Sequence, residues 1–235
     1  MADPSSRVAM ISGANRGIGA AIADHLSRQG WRLSLGVRDP ARLPPRAGAA
    51  QTLVCGFDAR RPASEKAWVE ATVERFGRID AVIANAGITI PKTVIEAEDE
   101  ELDDLFQVNV RSPLRLVRAA WPWLTRSGRG RVVTIVSLSG LRVKTAKAGL
   151  YSTSKFAALA MTHAIRHAGW EDGIRATAVC PGFVATDMAA GLTTRPPEDM
   201  TQPADVARLV GVVLDLPNSA SVAELPINST LEEML

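Results

Sequence analysis

The chain has one tyrosine, two cysteines and three histidines among 235 residues, and aromatic residues make up only 5% of it. Two cysteines, Cys55 and Cys180, far apart and each inside an apolar run, exclude a disulfide-stapled scaffold and fit buried free thiols in a reducing compartment. Histidine is too scarce for a conventional metal centre. His163 and His167 have the spacing of a ligand pair, but no third ligand is suggested, so no metal is expected. No apolar run approaches the length that spans a bilayer, and the opening MADPSSRVAMISG lacks the charged-then-apolar pattern of a secretory leader. A cytoplasmic protein without a membrane partner is expected. The net charge of +2 is too small to make nucleic acid or an acidic surface the main partner.

Internal repeats and low-complexity linkers are missing as well. With 46% hydrophobic and 22% charged residues, the composition is that of an ordinary globular protein, and the length suits one large α/β domain. Short apolar runs alternate with helical stretches: RVAMIS, a helix over about 18–29, RLSLGV, QTLVCGF, a helix over about 64–76, IDAVIAN, a long helix ending near Trp123, RVVTIVS, a helix over about 149–168, and IRATAVC. Runs of Val, Ile and Ala without polar alternation suit strands covered on both faces. The succession predicts a Rossmann-like, doubly wound parallel sheet with helices on both sides. Pro44-Pro45 and the proline-rich stretch near 190–203 are loop-like; the second, with its flank from about 187, is expected to act as a substrate lid. The acidic run from Glu96 to Asp104 is expected to open a helix, where negative charge complements the dipole.

The loop Ser12-Gly13-Ala14-Asn15-Arg16-Gly17-Ile18-Gly19 follows the first strand and opens the first helix. Gly13, Gly17 and Gly19 permit a tight turn and a close approach of backbone to a pyrophosphate, which the helix N-terminus attracts. At the end of the second strand, where an NAD enzyme places an acid for the ribose, the chain has Val37 followed by Arg38. An arginine there accommodates a 2′-phosphate, and Arg16 can add a second charge with bidentate geometry. NADP(H) is therefore expected; the alternative makes Asp39 the ribose ligand and both arginines ordinary surface residues. Asp58, ending the third strand, is placed to accept from an adenine amino group, and Asn85-Ala86-Gly87 closes the fourth strand with small residues that let the backbone pass near a ribose.

The only tyrosine lies in Tyr151-Ser152-Thr153-Ser154-Lys155. Tyr and Lys four apart share one helix face, and an ammonium beside a phenol lowers its pKa from about 10 toward the range where it exchanges protons. The glycine loop, Ala84-Asn85-Ala86-Gly87, the Asn in Val108-Asn109-Val110, a serine after the fifth strand, YSTSK and Pro181-Gly182, in that order, resemble the short-chain dehydrogenase/reductase family from about Arg7 to Asp187. That resemblance implies a catalytic tetrad of Asn109, Ser137, Tyr151 and Lys155, with Ser139 as the alternative serine. The usual serine–tyrosine spacing falls on Leu138, and alignment on Val132–Ile135 and Gly140 selects Ser137. Lys155 is then implied to bind the nicotinamide ribose as well, and Asn109 to support a proton-relaying water. Pro181, Gly182, Val184 and Thr186 resemble the segment that contacts the nicotinamide carboxamide, the alternative for Thr186 being a helix cap.

Two positions depart from the family pattern. Ser12 stands where Thr is usual and keeps the hydroxyl, whereas Ala84 stands where Asn is usual. The C-terminal stretch lacks the paired glycines of acyl-carrier-protein reductases, which argues against a role in fatty-acid synthesis. The expected function is NADP(H)-dependent interconversion of a small-molecule carbonyl and alcohol, by a homodimer or homotetramer as similar proteins form. The alternative of a different class is a non-catalytic NADP-binding sensor or scaffold; an epimerase or dehydratase is disfavoured by length. Arg142, Lys144 and Lys147 follow the serine and read either as a solvated loop or as a site for an anionic substrate.

Overall fold

The computed structural model describes residues 7–43 and 51–231. Seven strands, β1 (Val8–Ser12), β2 (Arg32–Val37), β3 (Thr52–Gly56), β4 (Ala81–Ala84), β5 (Arg131–Ile135), β6 (Arg175–Pro181) and β7 (Glu224–Ile227), form one sheet in the order β3-β2-β1-β4-β5-β6-β7. Every neighbouring pair is parallel. The chain winds outward from β1 to β3 and then returns to lay β4 on the other side of β1, the doubly wound Rossmann arrangement. The helices are α1 (Gly17–Arg28), α2 (Ser64–Phe76), α3 (Asp99–Phe106), α4 (Ser112–Arg126), α5 (Gly149–Ala168), α6 (Asp187–Ala190) and α7 (Pro203–Asp215). Among the described residues, no helix is long and apolar enough to cross a membrane.

The period-2 pleat divides the apolar strands between two cores. Ala9, Ile11, Ala81, Ile83, Val133 and Ile135 face α1 and α7, where they meet Ile22, Leu26, Val206 and Val210. Met10, Val82 and Val132 point the other way, onto Trp68 of α2, Leu116 and Leu124 of α4 and Ile165 of α5. Both faces being covered is why these strands read as unbroken hydrophobic runs. The polar residue inside β2 is accounted for: Ser34 Oγ accepts from Trp68 Nε1 at 2.8 Å and shares a hydrogen bond with Thr72 Oγ1 at 2.7 Å.

Four features differ from the sequence reading. The expected long helix ending near Trp123 is α3 and α4 joined by a π-helical turn over Gln107–Arg111, an insertion that commonly marks functional sites. The stretch 187–203 is only partly a loop: it holds α6, a turn at Pro197–Asp199 and, through Thr201, a bridge to Val184. Helix α7 and strand β7 had no clear signal; β7 is four residues with alternating exposure, and its Pro226 is tolerated because it lies on the sheet edge. Pro44 and Pro45 lie outside the described residues. The acidic run does open a helix, with Asp99, Glu100 and Glu101 in the first turn of α3 and the Glu98 N–H donating to Glu101 Oε2 at 3.0 Å.

A buried ion pair fixes the π turn. Arg115 donates through Nη2 and Nε to Glu65 Oε1 at 2.8 and 3.2 Å, and the Glu65 side chain is only 1% exposed. Arg115 Nη2 and Gln107 Nε2 both donate to the Ala59 carbonyl, so α2, α4 and the turn carrying Asn109 are tied at one point. Arg115→Ala strands the Glu65 carboxylate in the core; we expect a loss of about 3–5 kcal/mol by urea denaturation, largely recovered when Glu65→Leu is added.

Candidate active site

The C-terminal ends of β1 and β4 part where the strand order reverses, the place where such sheets bind ligands. A cleft of about 1390 Å³ opens there, larger than most small-molecule pockets. It is lined by all of the site residues read from the sequence except Gly19 and Asn109. Both of these act from behind the wall. A Cβ on Gly19 would lie 2.4 Å from the Gly13 carbonyl oxygen, so only glycine lets α1 begin directly under the loop. Gly13 and Gly17 have φ of 66° and 56°, in the region that favours glycine.

The loop is braced from β4. Ser12 Oγ accepts from the Asn85 and Ala86 N–H groups, both at 2.9 Å, and Asn85 Nδ2 donates back to the carbonyls of Ser12 and Gly13 at 2.9 and 3.2 Å. The side chain of Asn85 therefore shapes the loop. Residue 84, where the polar contact was expected to be lost, is buried apolar strand. Gly13, Gly17 and Ile18 line the cleft where α1 begins, and a helix N-terminus opening on such a space fits a pyrophosphate. At the outer end, Arg38 lines both the cleft and an adjoining hollow shared with Asp58 and Arg61. Asp39 accepts from the Ala41 N–H at 3.1 Å and caps the turn Pro40–Arg42, and Asp58 accepts from the Arg60 N–H at 3.0 Å. Arg16 pairs across the cleft with Asp187 on α6, Nη1 to Oδ2 at 2.8 Å.

At the inner end, α5 brings Tyr151 and Lys155 to the cleft wall. Ser137 follows β5, and its Oγ accepts from the Ser139 N–H at 3.0 Å. Of the two serines considered, both of which line the cleft, Ser137 is the one that acts on the Tyr151 phenol, pulling its pKa down against burial. Asn109, 2% exposed, grips Ile88 on both sides, Oδ1 accepting from its N–H and Nδ2 donating to its carbonyl, each at 3.0 Å. Asn109 Nδ2 also donates to Ser154 Oγ at 3.0 Å, which ties the π turn to α5. A Cβ on Gly87 would sit 3.3 Å from Asn109 Oδ1, a tight approach, and 3.7 Å from Lys155 Nζ, an ordinary contact, so Gly87 lies beside both groups. Thr186 occupies the N-cap position of α6, yet its hydroxyl donates to the Val184 carbonyl at 3.2 Å and accepts no N–H of the helix. His163 is bonded to Glu224 on β7 at 2.8 Å. Sequence reasoning did not find Arg195 or Asn228 on the cleft wall. Arg195 lies directly before two prolines in the stretch 187–203, and Asn228 just past an unrecognised strand, so neither carries a motif.

The electrostatics correct one expectation. The sequence predicts a phenol pKa lowered by the ammonium; instead burial pushes Tyr151 up to about 12, opposed only by the hydrogen bond from Ser137. Lys155 Nζ is turned toward the Ile135 carbonyl at 2.9 Å and stands 5.5 Å from the centre of the tyrosine ring. Burial brings the lysine down to about 8, within reach of neutral pH.

A family model described as short chain dehydrogenase matches residues 7–197. Agropine synthesis reductase of Rhizobium rhizogenes is 41% identical over 220 residues; the match takes in 92% of this chain and 51% of that protein, so the chain spans about half the relative's length. An uncharacterized oxidoreductase of Staphylococcus saprophyticus is 30% identical over 97% of this chain and 99% of its own. Among solved structures, an alcohol dehydrogenase from the archaeon Thermococcus sibiricus complexed with 5-hydroxy-NADP superposes with a TM-score of 0.86 at 31% identity, covering 97% of this chain and 98% of that one.

The lowered lysine pKa has a consequence for stability. The unfolded chain holds the Lys155 proton more tightly than the folded protein, so burial of the ammonium costs on the order of 3 kcal/mol below pH 8. The cost disappears as pH rises from about 8 toward 10.5, the ordinary value of a lysine. Lys155→Met also loses the bond to Ile135, so we expect a net gain of about 1–2 kcal/mol at pH 7 that fades by pH 10, read by urea denaturation at the two values.

Proposed function

The chain belongs to the short-chain dehydrogenase family, and from that premise we propose that it is an NADP(H)-dependent oxidoreductase that interconverts a carbonyl and an alcohol, with Tyr151 as the general acid and base. The observation that carries this reading is that Ser137, Tyr151 and Lys155 line the same cleft as a glycine cradle that a Cβ would fill.

When bound, the dinucleotide supplies or accepts the hydride. Its pyrophosphate would be held by the backbone of Gly13 to Gly19, its adenylate end by Asp58, Arg38 and Arg16, and its nicotinamide end by Asn85 to Gly87, Lys155 and Pro181 to Thr186. Reduction builds negative charge on the substrate oxygen, which requires a donor and a proton source at that atom. Ser137 Oγ acts as the donor and Tyr151 Oη delivers the proton. Lys155 resupplies Tyr151, assisted by a water that the Asn109 segment supports beside Gly87. Oxidation reverses the roles, with Tyr151 accepting the proton. The stretch 187–203 serves as a lid over the substrate.

Support for NADP comes from Arg38 and Arg16, from Asp39 being engaged in its own turn, and from the NADP derivative named with the Thermococcus structure. We further propose a cytoplasmic homodimer or homotetramer; the free thiols of Cys55 and Cys180 and an exposed Phe156 on α5 support that reading.

Tyr151→Phe should lower turnover by roughly 10²–10⁴-fold while NADPH binding stays within about threefold; a protein that binds NADPH and turns over no carbonyl compound would instead be a sensor. Arg38→Ala should weaken NADPH about 10–100-fold and NADH little, measured by fluorescence titration. Equal affinity of the parent protein for both nucleotides would defeat the NADP assignment.

A further inference from the structure

The hollow that adjoins the cleft has a volume of about 270 Å³ and is lined by Arg38, Gly56, Phe57, Asp58, Arg61 and Ser64. Arg38, Phe57 and Asp58 line the cleft as well, so the two spaces share a wall at the nucleotide end. The hollow is smaller than the pockets that take whole small molecules, a size for a single substituent. Parallel pairing brings its two arginines to one place. Val37 at the end of β2 lies opposite Gly56 of β3, and its carbonyl accepts from the Phe57 N–H at 2.8 Å, so Arg38 leaves β2 beside the end of β3. The Arg61 N–H donates to the Asp58 carbonyl at 2.9 Å, closing a turn that brings Arg61 back to the same strand end. Ser64 Oγ braces that turn, donating to the carbonyls of Asp58 and Arg61 at 2.7 and 2.8 Å.

Neither guanidinium is committed to holding the fold. Among the described residues, Arg38 makes no hydrogen bond or ion pair. The Arg61 side chain is 83% exposed, and its guanidinium has only the Asp58 carboxylate, Nε to Oδ2 at 3.9 Å, a contact too long and too exposed to be worth much. Asp58 gives its other oxygen to the Arg60 N–H at 3.0 Å, and Arg60 is itself locked in a two-pronged pair with Asp104. Two cations against one carboxylate leave the hollow net positive. A single surface arginine would be ordinary; two from separate loops around one recess off the nucleotide cleft call for a ligand.

We propose that this hollow seats the 2′-phosphate of the nucleotide, with Arg61 gripping it alongside Arg38. A phosphate monoester presents three oxygens, which accept forked bonds from two guanidiniums. Arg61 then shares in the choice of NADP over NAD, although no motif marks it in the sequence. This rests on the NADP(H) reading above and names a further side chain that sets it.

The test reads binding without turnover: fluorescence titration with NADPH and NADH, and calorimetry with adenosine 2′,5′-bisphosphate and 5′-AMP, which differ only in the 2′-phosphate. Arg61→Ala should weaken NADPH and the bisphosphate about tenfold and leave NADH and 5′-AMP within about twofold. Arg61→Lys, which keeps the charge and loses the fork, should recover part of the loss. A loss shared equally by NADPH and NADH, or no change in either, overturns the inference while the NADP(H) reading stands. Equal binding of NADPH and NADH by the parent protein strikes that reading, and the inference with it.

Discussion

The cleft exists because β1 and β4 separate at their C-terminal ends without falling apart, and one hydroxyl governs that separation. Ser12 Oγ receives two N–H groups from the end of β4, and Asn85 returns its amide to two carbonyls of the glycine loop. This exchange satisfies the backbone polar groups that ladder bonding would otherwise have taken up, in a region largely shielded from water. It also sets the height of the loop over α1, which is why Gly19 has no room for a Cβ. The α1 N-terminus, the floor at Gly87 and the wall carrying Ser137 all take their positions from the way this crevice is held open.

The chemistry at the inner end is assembled from groups that folding alone would not favour. A tyrosine pushed up to about 12 and a lysine brought down to about 8 are both less readily charged than in water, the mark of a desolvated site. The fold holds them with backbone partners: the Ile135 carbonyl for Lys155, the Ser139 N–H behind Ser137, and both polar groups of Ile88 for Asn109. The π turn lets Asn109 face Ile88 while α3 and α4 continue on either side, and the buried Arg115–Glu65 pair anchors the turn to α2. An ion pair on the far side of the turn thus sets where the Asn109 side chain can reach.

Much of this was legible because the sheet is parallel and covered on both faces, so its inner strands announce themselves as runs such as Val8 to Ser12 and Arg131 to Ile135. Helices α2 and α5 were bounded correctly because each combines an apolar stripe with clear flanking residues. The edge strand β7 was not, since four alternating residues with a proline have neither a continuous run nor a long period. The π turn was invisible for a different reason: its extra residue leaves no gap in the helical pattern. Residue types and order named Ser137, Tyr151, Lys155 and the loop, which the structure brings to one cleft, whereas the phenol's pKa is raised where the sequence predicted a fall. Spacing along a helix places a phenol and an ammonium on one face, but it does not reveal that the ammonium turns to a carbonyl of β5 or that burial outweighs the pair.

The ion pair between Arg16 and Asp187 joins the glycine loop to α6, and its exposure decides what it can do. With side chains 65% and 72% exposed, the pair contributes about 1 kcal/mol or less to holding α6 in place. A 2′-phosphate carries more charge than one carboxylate and accepts bidentate bonds from a guanidinium, so it would compete successfully for Arg16 at small cost. Losing the pair would loosen α6 from the glycine loop without any change in the sheet, because the contact given up is a weak one at the surface.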